Sequence, residues 1–512
     1  MASRRDELNA YTFAKRRLIA QFLQPSTTGS EEGAPRPLRA VLPGVIIGVV
    51  ILAGFAAWGM FKPVAPKGWD KPGENVIIAS KSTTRYVVLE TGEKTYLHPV
   101  LNMSSAKLLL LPDKGKVINV DESLLDKSKI SRGATLGIPY APDRLPSAQE
   151  AGAAKRWAVC ERPGAGGRAI QKAAFVLAER EHGRTDGENR LTGGELLYVE
   201  GPDRNRHIVD ARGTAYPVGR DELLLRQVVG QDRGRDRVPQ RVSAAWLDTL
   251  REGDPVDFPR IEDRPGADAG VPGGLEKDAN RIGMVLTATD GTREQHYLVL
   301  RGRVAPVSDF TAKLLLGSRE LAVLGQAGKP ASVHPSSFRP GEAFNADKKW
   351  PQEAPESVNT ASTTEGSRNT VCNVLRNVDR DSGETTLSTW AGADFPAPLP
   401  PGSTSAYVTP GSGQMFRQFK GSTTTAGFLF LVTDTGLRYA MQSNSDSDTD
   451  GSGIGESGTA EEKRARREEA QQAQNRLGYK DVDPQPVPAA WSAFLPTGPR
   501  LSTGSAKLPQ GS

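Results

Sequence analysis

The clearest hydropathy pattern in the chain is a long apolar run near the N-terminus. Residues 41–61 hold 21 positions without a charged side chain. As a helix this stretch would extend about 31 Å, which is enough to cross the hydrocarbon core of a bilayer. Arg39, Trp58 and Lys62 stand at its two ends, where basic and tryptophan side chains favour the membrane interface. We therefore predict a single transmembrane helix over 41–61, with these three residues at the membrane surfaces.

The basic residues around this run predict its orientation. Seven Lys and Arg precede it, and the following 20 residues hold four, Lys62, Lys67, Lys71 and Lys81. This excess predicts a cytoplasmic N-terminus and an extracytoplasmic bulk. A cleaved signal peptide is the alternative, but its charged region would be 40 residues long, and no good small-x-small cleavage site precedes Trp58.

The segment before the run has a helical pattern of its own. Ser3 with Asp6 and Glu7 is typical of a helix start. Apolar residues then recur at helical spacing as far as Pro25, namely Leu8, Tyr11, Leu18 and Phe22. We place Lys15, Arg16 and Arg17 on the polar side. The pattern predicts an amphipathic helix that lies on anionic lipid or docks against a partner, with a solvated tail as the alternative.

Beyond the apolar run, one pattern recurs four times along the chain. Each copy has an apolar strand, a turn containing Gly, a second short strand and then a helical stretch, which is rich in Leu in the first three copies. The copies cover 86–110, 197–225, 297–316 and 428–477, and the first and third share Lys-Leu-Leu-Leu at 107–110 and 313–316. Such small units cannot bury an apolar face alone, so they must pack on one another or on a shared core.

These patterns predict an α+β fold: one transmembrane helix, then an extracytoplasmic region of four small repeat modules around a β-rich central domain. Segments rich in Pro, Gly and Ser at 262–280, 345–370 and 391–413 are interpreted as loops or linkers. The predicted divisions are a cytoplasmic amphipathic tail (1–40), the transmembrane helix (41–61), the first module (62–146), the first half of the central domain (147–190), the second module (191–240), a linker or central segment (241–280), the third module (281–340), the second half of the central domain (341–413), the fourth module (414–480) and a C-terminal extended segment (481–512).

Composition narrows the classes of function. The formal charge of +5 arises from 65 basic and 60 acidic residues, and the two signs alternate along most of the chain. A nucleic-acid-binding protein would gather its basic residues on one face with aromatic residues between them. No such cluster is present, so we expect no nucleic-acid partner.

The chain has two cysteines, Cys160 and Cys372. Neither has the spacing of a zinc site, which excludes a metal centre built on them. In an oxidising compartment outside the cytoplasm a bond between them is favoured. Two buried thiols are the alternative. A bond would close a loop of about 212 residues and, in the chain-entropy model, stabilise the fold by roughly 5 kcal/mol.

Several stretches, taken in order, resemble the EccB family of the type VII (ESX) secretion system over nearly the whole chain. They are the N-terminal SRRDELNAYTFAKRR, LHPVLN with SAKLLL at 97–110, GIPYAPD at 137–143, WAVC at 157–160, and PVPAAW and LPTGP between 486 and 499. The resemblance implies four repeat modules around a central domain and one disulfide between the two cysteines. It also implies a structural role in an inner-membrane complex with EccC (the motor), EccD and EccE, and self-association outside the membrane.

Catalytic and ligand-binding motifs are few. Some members of the family are described as ATPases, but the phosphate-binding pattern GxxxxGK[ST] is absent, and its nearest approach is Gly325 to Pro330. Five scattered histidines form no recognisable triad or metal cage. Asp446, Asp448 and Asp450 begin a pattern like a calcium loop, but its twelfth position is Ser457 where a Glu is required. A flexible acidic insertion is the alternative, and we expect no cofactor.

The sequence therefore predicts a non-enzymatic scaffold subunit of a secretion complex in the cell membrane, in contact with the lipid bilayer and with other secretion subunits. Two alternatives from other classes remain. One is a cell-wall-binding anchor, which would need exposed aromatic residues along a groove, and the chain is only 6% aromatic. The other is an ATPase, which would lose its activity on substitution of one defined Lys.

Overall fold

A computed structural model describes residues 3–23, 38–61, 65–164, 169–232, 234–291, 293–399, 405–441 and 460–510. The chain divides into two compact units. The smaller comprises Met1–Trp69, Ala79–Ser82 and Asn119–Lys129, and the larger comprises Asp70–Ile78, Thr83–Ile118 and Ile130–Ser512. The fold is a mixed α+β arrangement with many sheets, as the sequence predicts at that level.

The smaller unit begins with two helices, α1 (Arg4–Leu23) and α2 (Leu38–Phe61). Ser3 starts α1, because its carbonyl accepts the N–H groups of Asp6 and Glu7. At about 100° per residue, Lys15 falls between Leu8 and Phe22 on the helix surface. The prediction that Lys15 lies on the polar side was therefore wrong, because its position shares the arc of the apolar residues.

Helix α2 covers the predicted apolar run. Its described apolar side chains are exposed in the isolated chain, Leu42 by 68% and Phe55 by 73% of their surface. In this helix the side chains of 41–56 and 58 are described. Among the residues that the structure describes, no helix is both long enough and apolar enough to cross a membrane.

The strands of the first sheet are joined in the order β4-β1-β2-β3-β5. Its elements are β1 (Asn75–Ala79), β2 (Arg85–Thr91), β3 (Lys94–Val100), α3 (Met103–Leu109), β4 (Lys116–Val120), α4 (Glu122–Asp126) and β5 (Ser131–Arg132). A short helix α5 (Ala148–Gly152) follows. Two strands of the central sheet come next, β6 (Arg156–Pro163) and β7 (Ile170–Leu177).

The second sheet has the order β13-β8-β9-β10-β14. Its segment of the chain holds β8 (Glu195–Glu200), β9 (Arg206–Asp210), β10 (Thr214–Val218), α6 (Glu222–Val229), a small hairpin of β11 (Gln231–Asp232) and β12 (Arg235–Asp236), β13 (Gln240–Arg241), α7 (Ala244–Leu247) and β14 (Arg251–Glu252). The third sheet has the order β17-β16-β15-β18. It is built from β15 (Val285–Asp290), β16 (Arg293–Leu300), β17 (Arg303–Val307), α8 (Asp309–Gly317) and β18 (Ala331–Ser332).

The remaining chain completes the second sheet, the central sheet and a fourth sheet. It contributes β19 (Glu356–Ser357), which pairs with β8, then β20 (Thr370–Val378), β21 (Thr385–Gly392), β22 (Ala406–Val408), β23 (Gly413–Phe419), β24 (Phe428–Thr433), β25 (Arg438–Ala440), α9 (Ala460–Leu477), β26 (Gln485–Pro488), α10 (Ala489–Ser492) and α11 (Thr503–Ala506). The central sheet has the order β21-β20-β6-β7-β22, and the fourth has the order β25-β24-β23-β26.

The first to fourth sheets share one topology within the described residues. Three consecutive strands run antiparallel, a helix follows, and a later strand then pairs with the first of the three. In the second, third and fourth sheets that later strand is parallel to its neighbour. Polar residues start three of the helices, because the side chains of Asn102, Asp221 and Ser308 accept N–H groups from the first turns of α3, α6 and α8.

Different sheets share apolar cores. One cluster unites the first and fourth sheets and includes Leu108, Leu431 and Leu477. A second joins the central, second and fourth sheets around Trp157, Trp246 and Trp491. A third brings residues of α6 against Phe310 and Leu314 of α8, and so joins the second sheet to the third. The larger unit is therefore held together by cores that combine distant parts of the sequence.

Some segments expected to be loops or linkers are packed. Within 262–280, Ala269, Val271 and Ala279 are buried in the core of the third sheet. The C-terminal segment 481–512 is not simply extended, because it contains β26, α10 and α11. Each of these segments holds only a few buried apolar residues, so its sequence shows no clear helical or strand periodicity. The sequence pattern therefore misses their packing.

Candidate interaction surfaces and joints between sheets

The centre of the larger unit is a disulfide bond between two neighbouring strands. Cys160 of β6 lies directly opposite Cys372 of β20, and the two sulfur atoms are bonded. Both residues are fully buried. Around them lie apolar side chains of the central sheet, including Phe175 and Trp390. The structure therefore shows the bond and not the alternative of two buried thiols.

A buried carboxylate lies next to this bond and ties the central sheet to the second sheet's segment. Glu161 is fully buried. It accepts the backbone N–H of Ser243 at 2.7 Å and also the Ser243 hydroxyl. Burial raises the pKa of Glu161, although the bonds from Ser243 and the charge of Lys172 act in the opposite direction. Ser243 in turn caps α7 by accepting the N–H of Trp246.

An ion-pair network connects the ends of strands β6 and β20. Asp186 accepts from Arg156 of β6 at 2.7 Å and from Arg376 of β20 at 2.6 Å. Burial acts to raise the pKa of Asp186, but the two arginines outweigh it and hold that pKa below its usual range. The same carboxylate therefore bridges two strands that the disulfide also joins.

Two helices of the first and fourth sheets cap each other's C-terminal ends. Arg476 of α9 donates to the carbonyl oxygens of Leu108 and Leu110 at the end of α3. Lys107 of α3 donates to the carbonyl oxygen of Leu477 at the end of α9, at 3.3 Å. Burial lowers the pKa of both basic groups. Cations at helix C-termini satisfy open carbonyl groups and favour the helix dipole, so each helix stabilises the end of the other.

The Lys of the recurring Lys-Leu-Leu-Leu segment has a related contact in the third sheet. Lys313 of α8 donates to the carbonyl oxygen of Pro355 at 3.0 Å, and burial lowers its pKa. In both copies the Lys thus bonds a backbone carbonyl far along the chain. Sequence reasoning singled out this segment as a repeat marker but missed the bonding role of its Lys.

The residues expected at the membrane interface are described only incompletely. Trp58 lies in α2, and its side chain is 65% exposed. Arg39 is within α2, but its side chain is not among those described, and Lys62 lies outside the described residues altogether. The structure therefore does not test their assignment to the membrane surfaces.

Of the candidate calcium and nucleotide segments, the structure describes only the second. Asp446, Asp448 and Asp450 lie outside the described residues. In the stretches that the structure describes, no group of three or more His, Cys, Asp or Glu side chains is placed to hold a metal ion. The Gly325 to Pro330 segment is a tight turn, in which Gln326 bonds the backbone of Val285. A strand, not a helix, follows it, so this turn offers no helix N-terminus to a phosphate.

A cavity of about 370 Å³ lies beside the third sheet. Its lining includes Glu276, Asp278 and His334 together with Met284 and Val333. Asp278 is already paired with Arg281. The carboxylates of its lining would repel the phosphates of a nucleotide, so this cavity is unsuited to ATP.

Comparison with known proteins identifies the family. The family model described as "Type VII secretion system ESX-1, transport TM domain B" matches residues 1–512. The "ESX-3 secretion system ATPase EccB3" of Mycolicibacterium smegmatis is 25% identical over 86% of this chain and 83% of its own length. The protein of the same name from Mycobacterium tuberculosis is 24% identical over 98% of this chain and 89% of its own length.

Solved structures match the fold. A chain of the structure described as "Structure of an intact ESX-5 inner membrane complex" aligns with a TM-score of 0.57 at 19% identity, covering 100% of this chain and 96% of that one. A chain of "Structure of EccB3 dimer from the ESX-3 core complex" aligns with a TM-score of 0.55 at 24% identity, covering 85% of this chain and 99% of that one. Together with the match of the family model over every residue, these similarities show that the chain belongs to the EccB family of the type VII secretion system.

Proposed function

We propose that this EccB-family chain is a non-enzymatic scaffold subunit of a type VII secretion membrane complex. The observation that carries the proposal is the way in which the sheets of the larger unit are connected to one another. Three shared cores, one disulfide and the reciprocal helix caps fix sheets that are far apart in sequence. Such a body presents its surfaces in fixed positions, which is what a scaffold requires, since preorganised surfaces bind with a smaller loss of entropy.

The four sheets of common topology are, in this proposal, the four repeat modules around the central sheet. Their shared order of three antiparallel strands, a helix and a returning strand supports this assignment. The weak sequence similarity of the copies agrees with modules that have diverged in the residues that pack on different neighbours.

The proposed anchor is a transmembrane helix over 41–61, with the N-terminus in the cytoplasm and the bulk outside. The charge-free run and the exposure of its apolar side chains in α2 support it. The disulfide supports the location of the bulk, because such bonds persist in oxidising compartments. Thiol labelling of intact cells carrying a single Cys in place of Thr91 would test the orientation. A membrane-impermeant reagent should label it, and protection from the reagent would contradict the proposal.

The proposed partners are subunits like EccC, EccD and EccE, together with a second copy of the chain. The support is the likeness of fold to a chain of an ESX-5 inner-membrane complex and to one described as a dimer. The contacts would be made by exposed surfaces of the modules.

ATP hydrolysis is the second candidate function, because the curated relatives carry the word ATPase in their names. Lys329 is the Lys of the segment closest to a phosphate-binding loop. One experiment separates the two functions. In a strain lacking this chain, the EccC- and EccD-like subunits should no longer migrate as one complex on a native gel. The scaffold proposal predicts that the wild-type chain and Lys329→Ala restore the complex equally and that neither purified protein hydrolyses ATP. Turnover abolished by Lys329→Ala would favour the ATPase.

A further inference from the structure

The third sheet has one edge that the chain covers and one edge that it leaves open. At the covered edge, β17, the N–H of Gly341 donates to the carbonyl oxygen of Val304 at 2.8 Å. The N–H of Phe344 donates to the carbonyl oxygen of Pro306 at 3.0 Å. The other edge is β18, which is parallel to β15. An open strand edge offers unpaired backbone groups to any further strand.

The backbone of Ser332 forms the open edge of β18. The next residue, Val333, donates its N–H to the carbonyl oxygen of Thr287 in β15 at 2.9 Å, and Thr287 lies opposite Ser332 in the register. Successive residues of a strand direct their backbone groups to opposite edges, so the N–H and the carbonyl of Ser332 point away from the sheet. Among the described residues, no turn or loop segment forms a hydrogen bond with that backbone. Ser332 is also exposed.

The corresponding edge of the fourth sheet is closed to a further strand. There β26 pairs with β23, the first strand of its sheet, as β18 pairs with β15. Two of the four residues of β26 are prolines, Pro486 and Pro488. Proline has no N–H to donate, and edge strands with proline resist pairing with another chain. Of these two related edges, therefore, only that of the third sheet keeps an N–H available.

The cavity of about 370 Å³ described above lies beside this open edge. Its lining includes three residues at the edge and two of the segment 274–279, and we call these five the edge groove: Ser332, Val333, His334, Leu275 and Glu276. The two segments are connected where the N–H of Gly274 donates to the carbonyl oxygen of Ser337 at 2.8 Å. The volume lies within the range of about 300–1,000 Å³ that ligand pockets have.

The edge groove is negatively charged and partly apolar. Glu276 and Asp278 line the cavity, and its described lining holds neither Lys nor Arg. Asp278 is paired with Arg281, which leaves Glu276 as the carboxylate that can pair with a ligand. Leu275 and Val333 are half-buried and offer apolar contacts. A complementary ligand therefore carries both basic and apolar side chains.

We propose that the edge groove binds an extended peptide segment of another protein, which joins the third sheet as a strand beside β18. The N–H of Ser332 would donate to a carbonyl of the peptide, and the Ser332 carbonyl would accept a peptide N–H. In strand addition these main-chain bonds give affinity, and pockets for side chains give specificity. Here Glu276 would select a basic side chain, and Leu275 would contact an apolar one. This binding activity goes beyond the scaffold role and does not depend on it.

The test measures peptide binding by the full-length protein in a nonionic detergent, by fluorescence anisotropy. The probe is a fluorescein-labelled hexapeptide in which Val and Lys alternate. We expect saturable binding to the wild type. The same peptide with all its backbone nitrogens methylated keeps the side chains but cannot donate to Ser332, and we expect it to bind at least tenfold more weakly.

Two substitutions at one position separate the backbone from the side chain. Ser332→Pro removes the N–H that faces the ligand and leaves the bond from Val333 to β15 in place, and proline is tolerated at such an edge position. We expect at least tenfold weaker binding of the unmethylated peptide, with a melting temperature close to that of the wild type. Ser332→Ala is the matched control, because it keeps the N–H and removes only the hydroxyl. It should bind within twofold of the wild type.

The charge of the groove has its own variant. Glu276→Gln preserves the shape of the side chain and removes the carboxylate. It should bind the Val and Lys peptide about threefold more weakly at low salt, and the difference should disappear at high salt, where exposed charges are screened. A peptide in which Val and Glu alternate should bind the wild type more weakly than the Val and Lys peptide does.

Several outcomes would overturn the proposal. They are no saturable binding by the wild type at millimolar peptide, equal binding of the methylated and unmethylated peptides, equal binding by Ser332→Pro and the wild type, or a loss of binding in Ser332→Ala as large as that in Ser332→Pro. Unchanged binding by Glu276→Gln at low salt would overturn the assignment of a basic ligand. Dissociation of wild-type dimers by the peptide, measured by sedimentation, would assign the groove to a second copy of the chain and overturn the choice of another protein.

Discussion

Arg476→Met is the substitution that tests the reciprocal helix caps most directly. Methionine preserves an unbranched side chain, so the apolar portion of the Arg476 contact with α3 is largely kept. The guanidinium donates to two carbonyl groups at the end of α3, those of Leu108 and Leu110. A hydrogen bond from a charged donor contributes about 1.5–3 kcal/mol, and a cation at a helix C-terminus about 0.3–1 kcal/mol.

The full sum is not expected, because Arg476 is only half-buried and water can reach the freed carbonyl groups. Arg476 and Lys107 are also like charges at the same joint, since a Cβ added at Gly478, two residues after Arg476, would lie 3.7 Å from the Lys107 amino group. Loss of Arg476 therefore relieves some repulsion. We expect a local destabilisation of about 2 kcal/mol, which corresponds to a roughly 30-fold larger opening equilibrium.

Hydrogen–deuterium exchange measured by mass spectrometry reports such local opening. Amides of α3 and α9 should lose protection by about 30-fold in Arg476→Met, while those of the third sheet should not change. Arg464→Met is the matched control, because Arg464 is in the same helix but its side chain is 82% exposed in its pair with Glu468. Exposed pairs of this kind contribute little. Equal protection of α3 in the wild type and Arg476→Met would refute the capping argument.

Four further predictions concern the central sheet. The paired change Cys160→Ala with Cys372→Ala should lower the melting temperature, because the chain-entropy model assigns roughly 5 kcal/mol to a loop of this length; a melting curve equal to that of the wild type would contradict it. Mild reductant without denaturant should leave the disulfide of the wild type intact, since both cysteines are fully buried. Rapid reduction of the native protein would show that the bond is accessible. Glu161→Gln should change how the free energy of unfolding depends on pH. Burial raises the pKa of Glu161 above its ordinary 4.5. The stabilisation by the protonated Glu161 is therefore fully present below the unfolded pKa and is lost as the pH rises through the folded pKa. The stability of the variant relative to the wild type, measured by thermal melting, should therefore improve from pH 5 to pH 8, and a constant difference would contradict the assignment. Asp186→Asn should destabilise at neutral pH by about 2 kcal/mol, since two charge-assisted bonds are weakened, and the difference from the wild type should shrink as the pH falls through the lowered pKa of Asp186; a difference independent of pH would show that its charge is not involved.

The main strands and helices are visible in the sequence because each carries its own periodic signal. The apolar runs around Tyr86, Tyr198 and Tyr297 correspond to strands, and the Leu-rich stretches correspond to α3, α6 and α8. The late helix over Ala460–Leu477 also lies where the sequence places it. The short edge strands were missed, because β5, β13, β14, β18 and β19 are two residues long and too short for any periodicity.

The contacts between sheets depend on residues that are far apart in sequence and are brought together only by the fold. Arg476 and Leu110 are 366 residues apart, and nothing in either local sequence indicates a helix cap. The open edge at Ser332 likewise has no signal in the sequence, because β18 is only two residues long. The recurring Lys-Leu-Leu-Leu segment was the one available signal, and it marked Lys107 and Lys313 without showing what they bind.

A scaffold subunit of a secretion membrane complex should stay bound to its partners when the tagged full-length protein is recovered from its own membranes in mild detergent, and mass spectrometry identifies those partners. We expect an FtsK-like ATPase and multi-spanning EccD-like subunits to be recovered with it and to remain bound at high salt. Recovery of the chain alone, with peptidoglycan fragments bound to it, would contradict the scaffold and favour a cell-wall anchor.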